Sequence, residues 1–252
     1  DASQAGEPNR VRFAIATLAL IAALLCKPTA AAVPLVAACL RFGWLGRPLR
    51  SGWAGLGLWF ALVVLAAGVA KSIQTDSDIQ GLSAAWQRPL IATDAIAFYG
   101  YKLLLPLGLT LDYGRSPARV VEHGWLYYTW VLPAGIAVAL WWGRAGRPWW
   151  TAFAIFLAGL APVLGLLPFG YQQTSTVADV YLAMLGPALA VAWWLASTLS
   201  RTPRRIVIGS LVFLAALSFQ QARVWHDSLR LAEHGLQVNP KSYLLHMVRG
   251  EV

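Results

Sequence analysis

Lys27 stands inside an apolar stretch, between Leu24-Leu25-Cys26 and Pro28. An ammonium at the centre of a bilayer costs roughly 2.5–3.5 kcal/mol. Such a lysine therefore either faces a polar cavity on a substrate path or snorkels from a helix end to headgroups. Residue type leaves both readings open. A second group lies in the long mixed segment Lys71–His123. There Gln87-Arg88-Pro89 leads into Leu90–Leu111, which is apolar with Asp94, Tyr99, Tyr101 and Lys102 inset, and Asp112-Tyr113 follows. A helix in the plane of a membrane interface would let Asp94, Tyr101 and Lys102 face a headgroup-level cleft, or would carry charges that are merely solvated. A third group, GYQQTSTVADVYL at Gly170–Leu182, brings Gln172, Gln173, Ser175, Thr176 and Asp179 together. It suits a sugar or phosphate, although Asp179 equally suits the start of the next helix. His226, His234 and His246 have no metal-ligand spacing and read as surface histidines. Cys26 and Cys39 lie in apolar segments and suggest neither a disulfide framework nor a metal site.

The elements that must position these groups follow from composition. The chain is 58% hydrophobic and 12% charged, about half the charge of a soluble domain. Its apolar residues fall into blocks near the length that crosses about 30 Å of hydrocarbon. In that medium only a helix satisfies its own backbone within one such block. The expected fold is all-α, a polytopic transmembrane helical bundle of about six to seven membrane segments. The segments are Phe13–Leu40, Trp53–Ala70, Gly124–Trp142, Trp149–Phe169, Tyr181–Leu199 and Ile206–Phe219, the last extended by snorkelling Arg204 and Arg205. Phe13–Leu40 is broken at Lys27-Pro28 and reads as a hairpin with both ends on one side, the alternative being one kinked span. Leu90–Leu111 is expected as an interfacial helix in a long outer loop. Residues 1–219 form the membrane part. Residues 220–252 form an amphipathic tail, with Trp225, Leu229, Ala232 and Leu236 at helical spacing and Asn239-Pro240 as a stop.

The net charge of +9 would suggest nucleic acid in a soluble protein, but here the arginines sit in short loops and no nucleic-acid partner is expected. Arg41, Arg47 and Arg50 fill one loop, Arg144 and Arg147 a second, and Arg201, Arg204 and Arg205 a third. These loops alternate with Lys71–His123 and with Gly170–Val180, which has no Lys or Arg. The positive-inside rule makes the arginine loops cytoplasmic and puts the long loop and the C-terminus on the other side. Trp53, Trp141, Trp142, Trp149 and Trp150 sit at segment ends as interfacial anchors. Arginine used in preference to lysine, without eukaryotic sorting signals, points to a bacterial inner membrane. Asp1–Asn9 is polar and reads as an interrupted loop, so the chain is expected to be a piece of a longer protein.

Four blocks occur in order: LLCKPTAAAVPLVAACL, PLGLTLDYGRSP, STVADVYLAMLGP and QARVWHDSLRLAEHGLQVNPKSYLLH. They resemble blocks of the polyprenol-dependent glycosyltransferases of the C superfamily. The nearest resemblance is to membrane proteins with C-terminal tetratricopeptide repeats, the protein O-mannosyltransferase relatives among them. The resemblance implies transfer of a sugar from a polyprenyl-phosphate donor on the non-cytoplasmic face, with Lys27 helping to hold the lipid phosphate. It leaves a divalent metal open. It implies membrane lipid and polyprenyl phosphate as partners, and a protein acceptor or partner at the C-terminal helix. With the groups above, the candidate substrate-binding residues are Lys27, Arg88, Lys102, Asp112, Gln173, Asp179 and Tyr181.

The sequence departs from that pattern in places. The family's arginine after the aspartate is Val180 here, and its second tyrosine is Ala183, so a basic residue suited to phosphate is missing. The family's catalytic acids lie in a first outer loop upstream of Asp1, and no residue here takes their role. The tail holds one partial repeat, which alone cannot bury its apolar face. The competing expectations are a non-catalytic membrane scaffold or lipid-binding protein derived from that family, and a transporter. The last needs broken helices in two related halves, and one broken segment is seen.

Overall fold

Proline restricts the residue before it, pushing that residue out of the helical region. Lys27 accordingly has φ −148° and ψ 122°, and helix α1 (Arg10–Cys26) stops there. The computed structural model describes residues 10–48, 52–73, 84–166, 180–197 and 201–250, and every element in them is helical. After Lys27 come a 3-10 turn (Pro28–Ala32), α2 (Val33–Ala38) and a π-helical stretch (Cys39–Trp44). The remaining helices are α3 (Trp53–Ile73), α4 (Arg88–Leu104), α5 (Pro117–Glu122), α6 (Val131–Trp142), α7 (Arg147–Leu160), α8 (Leu185–Ser197), α9 (Arg201–Val224), α10 (Ser228–Val238) and α11 (Tyr243–Arg249).

Side-chain contacts fix which ends lie together. Phe13 stacks on Trp59 with ring centroids 5.9 Å apart, and Trp59 Nε1 donates to Thr17 Oγ1 at 2.9 Å. Phe42 meets Trp53 at 5.4 Å. The starts of α1 and α3 and the end of the Pro28–Trp44 limb thus share one end, and the Lys27-Pro28 turn lies at the other. This is the hairpin arrangement. Helix α7 starts at the first end, where the Arg147 guanidinium donates to the Phe42 carbonyl. Its continuation, Ala161–Val163, packs on Pro28–Ala32 at the second. Helix α8 runs antiparallel to α7. A Cβ on Gly159 would lie 2.5 Å from Ala183 Cα, and one on Gly186 would lie 2.8 Å from the Phe156 nitrogen. Trp193 reaches Trp44, centroids 5.8 Å apart, back at the first end. The loops holding Arg41 and Arg47 and holding Arg144 and Arg147 therefore share an end, as the charge pattern anticipates.

The core follows this frame. Val36, Ile155 and Ala158 pack between the hairpin limb and α7. Nearer the Lys27 end, Ala92, Ala95 and Tyr99 of α4 pack on Phe156, Leu160, Leu164 and Ala183. Ile91 packs with Val120 and Leu126.

Bilayer-crossing length is less general than expected. Helix α3 has 21 residues and the Arg205–Val224 part of α9 has 20, and both are apolar enough to cross. Only 6% and 0% of their apolar windows are buried, whereas the core helix of a soluble protein is mostly covered. Val64, Leu65, Val212 and Phe213 all face outward, in the manner of a lipid-facing surface. Helices α6, α7 and α8 have 12, 14 and 13 residues, about 18–21 Å at ~1.5 Å per residue. Gly124–Trp142 is shortened because Gly124 sits at φ +66° and leads into a 3-10 turn, Trp125–Tyr127. Helix α9, conversely, continues past Phe219 to Val224. The amphipathic tail is a pair, α10 and α11, and its buried face, with Ala232, Asn239, Ser242 and Leu245, is covered. A Cβ on Gly235 would lie 2.6 Å from Leu245 Cδ1 and 2.7 Å from Thr110 Oγ1. The Leu105–Gly114 loop supplies the cover that a single partial repeat lacks.

Candidate functional site at the end opposite the Arg41 and Arg147 loops

Two residues singled out in the sequence, Lys27 and Tyr181, lie towards the end of α7 opposite Arg147. Lys27 is exposed where α1 stops, beside a 3-10 turn that packs against Ala161–Val163. Tyr181, two residues before the buried Ala183, is 72% exposed. Arg88 starts α4 ahead of Pro89, whose fixed φ suits a first helical turn. Gln173 and Asp179, with the rest of the polar cluster of residues 170–179, lie outside the described residues.

Asp94 is not in a headgroup cleft. It is fully buried on the face of α4 that packs inward, and Arg115 Nη2 lies 2.5 Å and 2.7 Å from its oxygens. The Arg115 guanidinium lies 4.0 Å from the Trp125 ring centroid and 4.8 Å from that of Phe98. Burying a carboxylate is tolerable only with such a partner. The pair closes the loop after α4 back onto α4, a positioning role for both residues.

Lys102, one turn from Phe98 on α4, has a different environment. Its Nζ donates to the Leu107 carbonyl at 2.6 Å. It lies 4.9 Å from the Tyr113 ring centroid, 5.5 Å from Tyr101 and 5.8 Å from Phe98. Partial burial among these rings lowers the Lys102 pKa from 10.5, because desolvation disfavours the ammonium. Burial raises the Tyr113 pKa from 10.0, against a smaller opposing effect of the Thr110 N–H, which donates to the phenol oxygen at 3.2 Å. Tyr113 therefore keeps its proton at neutral pH.

Asp112 is 4% exposed. Gly114 N–H donates to one of its oxygens at 2.7 Å and Ser242 Oγ to the other at 2.5 Å. Read from sequence as a substrate-binding residue, it has both oxygens engaged by the protein. Gln221 Nε2 donates to the Leu109 carbonyl at 2.8 Å, and Arg119 Nη1 to the Gly114 carbonyl at 3.3 Å. The loop is thereby tied both to α5 and to the C-terminal helices. His234, expected at the surface, has its Nε2 buried; it and the nearby Thr110 hydroxyl have no hydrogen-bond partner among the described residues.

An open apolar groove of about 570 Å³ runs beside α4, lined by Ala97 and, from the α6 side, by Tyr128, Leu132, Gly135, Ile136 and Ala139. Sequence reasoning missed Arg115, Trp125 and Ser242, whose partners are 21 or more residues away or on another element. The one available signal was Arg115 following Asp112-Tyr113-Gly114. Among the described residues no group of three His, Cys, Asp or Glu side chains converges as a metal site. No protein-family model, no curated protein and no solved structure matches the chain.

Proposed function

We propose that this chain is the membrane-embedded portion of a glycosyltransferase that takes a sugar from a polyprenyl-phosphate donor. In this reading the Lys27 end faces the non-cytoplasmic side of a bacterial inner membrane, and the C-terminus lies on that side. The shorter helices complete a polytopic bundle together with their flanking segments, and α10–α11 begins a tetratricopeptide-like repeat that meets a protein acceptor or partner. The observation that supports it is the position of Lys27. A cation ends an apolar helix at a proline break, at the end away from Arg41 and Arg147. A lipid phosphate at headgroup level favours a cation there.

The test is a titration of the purified protein with polyprenyl phosphate, followed by native mass spectrometry. Lys27→Ala should weaken binding by about 1.5–3 kcal/mol, the scale of a charged hydrogen bond, and Lys27→Arg should retain part of it. Equal affinity for wild type and Lys27→Ala would reject the reading.

One observation favours the alternative of a non-catalytic, lipid-binding descendant. Ala183, where the resembled pattern has tyrosine, is 0% exposed against Gly159, and a large ring has no room between α7 and α8. A lipid-binding titration that succeeds while sugar transfer by the longest natural form of the chain fails would select that alternative.

A further inference from the structure

We infer that Lys102 and Tyr113 form a subsite for a phosphate group where the end of α4 meets the Leu105–Gly114 loop. Of the three N–H donors of the Lys102 ammonium, one is taken by the Leu107 carbonyl. The others meet ring faces, and among the described residues no carboxylate lies within ion-pair distance of Nζ. The Tyr113 hydroxyl accepts from Thr110 N–H, and its own proton has no acceptor among the described residues. The carboxylates nearest in sequence are already used: Asp94 by Arg115, and Asp112 by Gly114 and Ser242. From Arg88 to Glu122, with Arg88, Lys102, Arg115 and Arg119 set against Asp94, Asp112 and Glu122, the net charge is positive by one.

Ring faces offset part of the cost of desolvating an ammonium, and the lowered Lys102 pKa indicates that the offset is incomplete. A tetrahedral anion would take the N–H donors that meet only ring faces, and the phenol proton with them. Tyr101, beside Lys102 on α4, is 47% exposed and its ring centroid lies 5.5 Å from Lys102 Nζ. The phosphate is that of a lipid headgroup or a free ion, and the test separates the two. The inference does not depend on Lys27.

The experiment is competition labelling of the wild-type chain in detergent with N-succinimidyl acetate, a neutral reagent, read at each lysine by peptide mass spectrometry. Farnesyl phosphate should slow acetylation of Lys102 by roughly tenfold, the effect of one charged hydrogen-bonded contact, while leaving Lys241 unchanged. Farnesol, which lacks the phosphate, should not protect. Protection by inorganic phosphate at the same concentration would assign the site to the free ion. Protection by farnesyl phosphate alone would assign it to a lipid headgroup. Tyr113→Phe, which keeps the ring, should reduce the protection. Absence of protection by either phosphate, or equal protection by farnesol, would overturn the inference. A null result for Lys27→Ala leaves this measurement untouched, so the two proposals fail separately.

Discussion

Ser242 Oγ donates to Asp112 Oδ2 at 2.5 Å, joining residues 130 apart in sequence. The same hydroxyl accepts Leu245 N–H at 3.3 Å as the N-cap of α11, so one side chain starts a helix and anchors it to the loop after α4. Removing it leaves a buried carboxylate oxygen without its donor, a loss of about 1–3 kcal/mol. Ser242→Ala should therefore speed hydrogen exchange in α10, α11 and Leu105–Gly114 together, and leave α7 and α8 unchanged. Exchange that rises in α11 alone would reduce Ser242 to a cap.

The Asp94–Arg115 pair makes a sharper demand. Asp94→Ala leaves a guanidinium half enclosed by Phe98 and Trp125 without its counter-charge. Breaking a buried pair from one side costs about 3–5 kcal/mol, here lessened by the 16% exposure of the Arg115 side chain. Thermal unfolding in detergent should show the loss. The double variant Asp94→Ala/Arg115→Met should recover part of it, because the lone charge is gone. Equal damage in single and double variants would show that packing, not charge, is what Asp94 provides.

Helix α8 approaches α7 backbone to backbone at Gly186. A Cβ there would crowd the Ala152 carbonyl and lie 2.8 Å from the Phe156 nitrogen, and neither atom can rotate away. Overpacking of this kind costs about 1–3 kcal/mol. Gly209 in α9 meets nothing within 4 Å, so there Gly→Ala should gain about 0.5–1 kcal/mol of helix propensity. Opposite signs of the change in Tm for Gly186→Ala and Gly209→Ala are expected. A neutral Gly186→Ala would argue against the close α7–α8 contact.

The pH dependence of Lys102 has an uncommon sign. Burial lowers its folded-state pKa, so between that value and 10.5 the unfolded chain binds the extra proton. Stability then rises with pH across this window. Tyr113, raised above 10.0 by burial, acts in the opposite direction above that value. Lys102→Met removes the first effect. The Tm of Lys102→Met relative to wild type should fall as pH approaches 10.5, and a pH-independent difference would contradict the assigned desolvation.

Local rules carried much of this structure into the sequence. The break at Lys27-Pro28 follows from proline sterics, the stop at Asn239 from the end of the apolar period, and the shared end of Arg47 and Arg147 from loop charge. What stayed hidden was set by long-range pairing. Asp94 looked like an interfacial charge because Arg115 is 21 residues on, and Asp112 looked open because Ser242 belongs to the tail. His234 has a buried Nε2 beside Gly235, which meets Thr110 of the loop after α4, a contact between elements far apart in sequence. Helix lengths were overestimated where Gly124 adopts a left-handed turn inside an apolar block.

The proposed bilayer-embedded bundle, with Arg147 and the C-terminal helices on opposite sides of the membrane, is tested most directly by sided labelling. Cys26 and Cys39 are first replaced by alanine, and single cysteines are placed at Gly146 and at Tyr243, which is 68% exposed. In sealed vesicles with the non-cytoplasmic face outward, a membrane-impermeant maleimide should label Tyr243→Cys and reach Gly146→Cys only after permeabilisation. Labelling of both from the same side without permeabilisation would contradict the account.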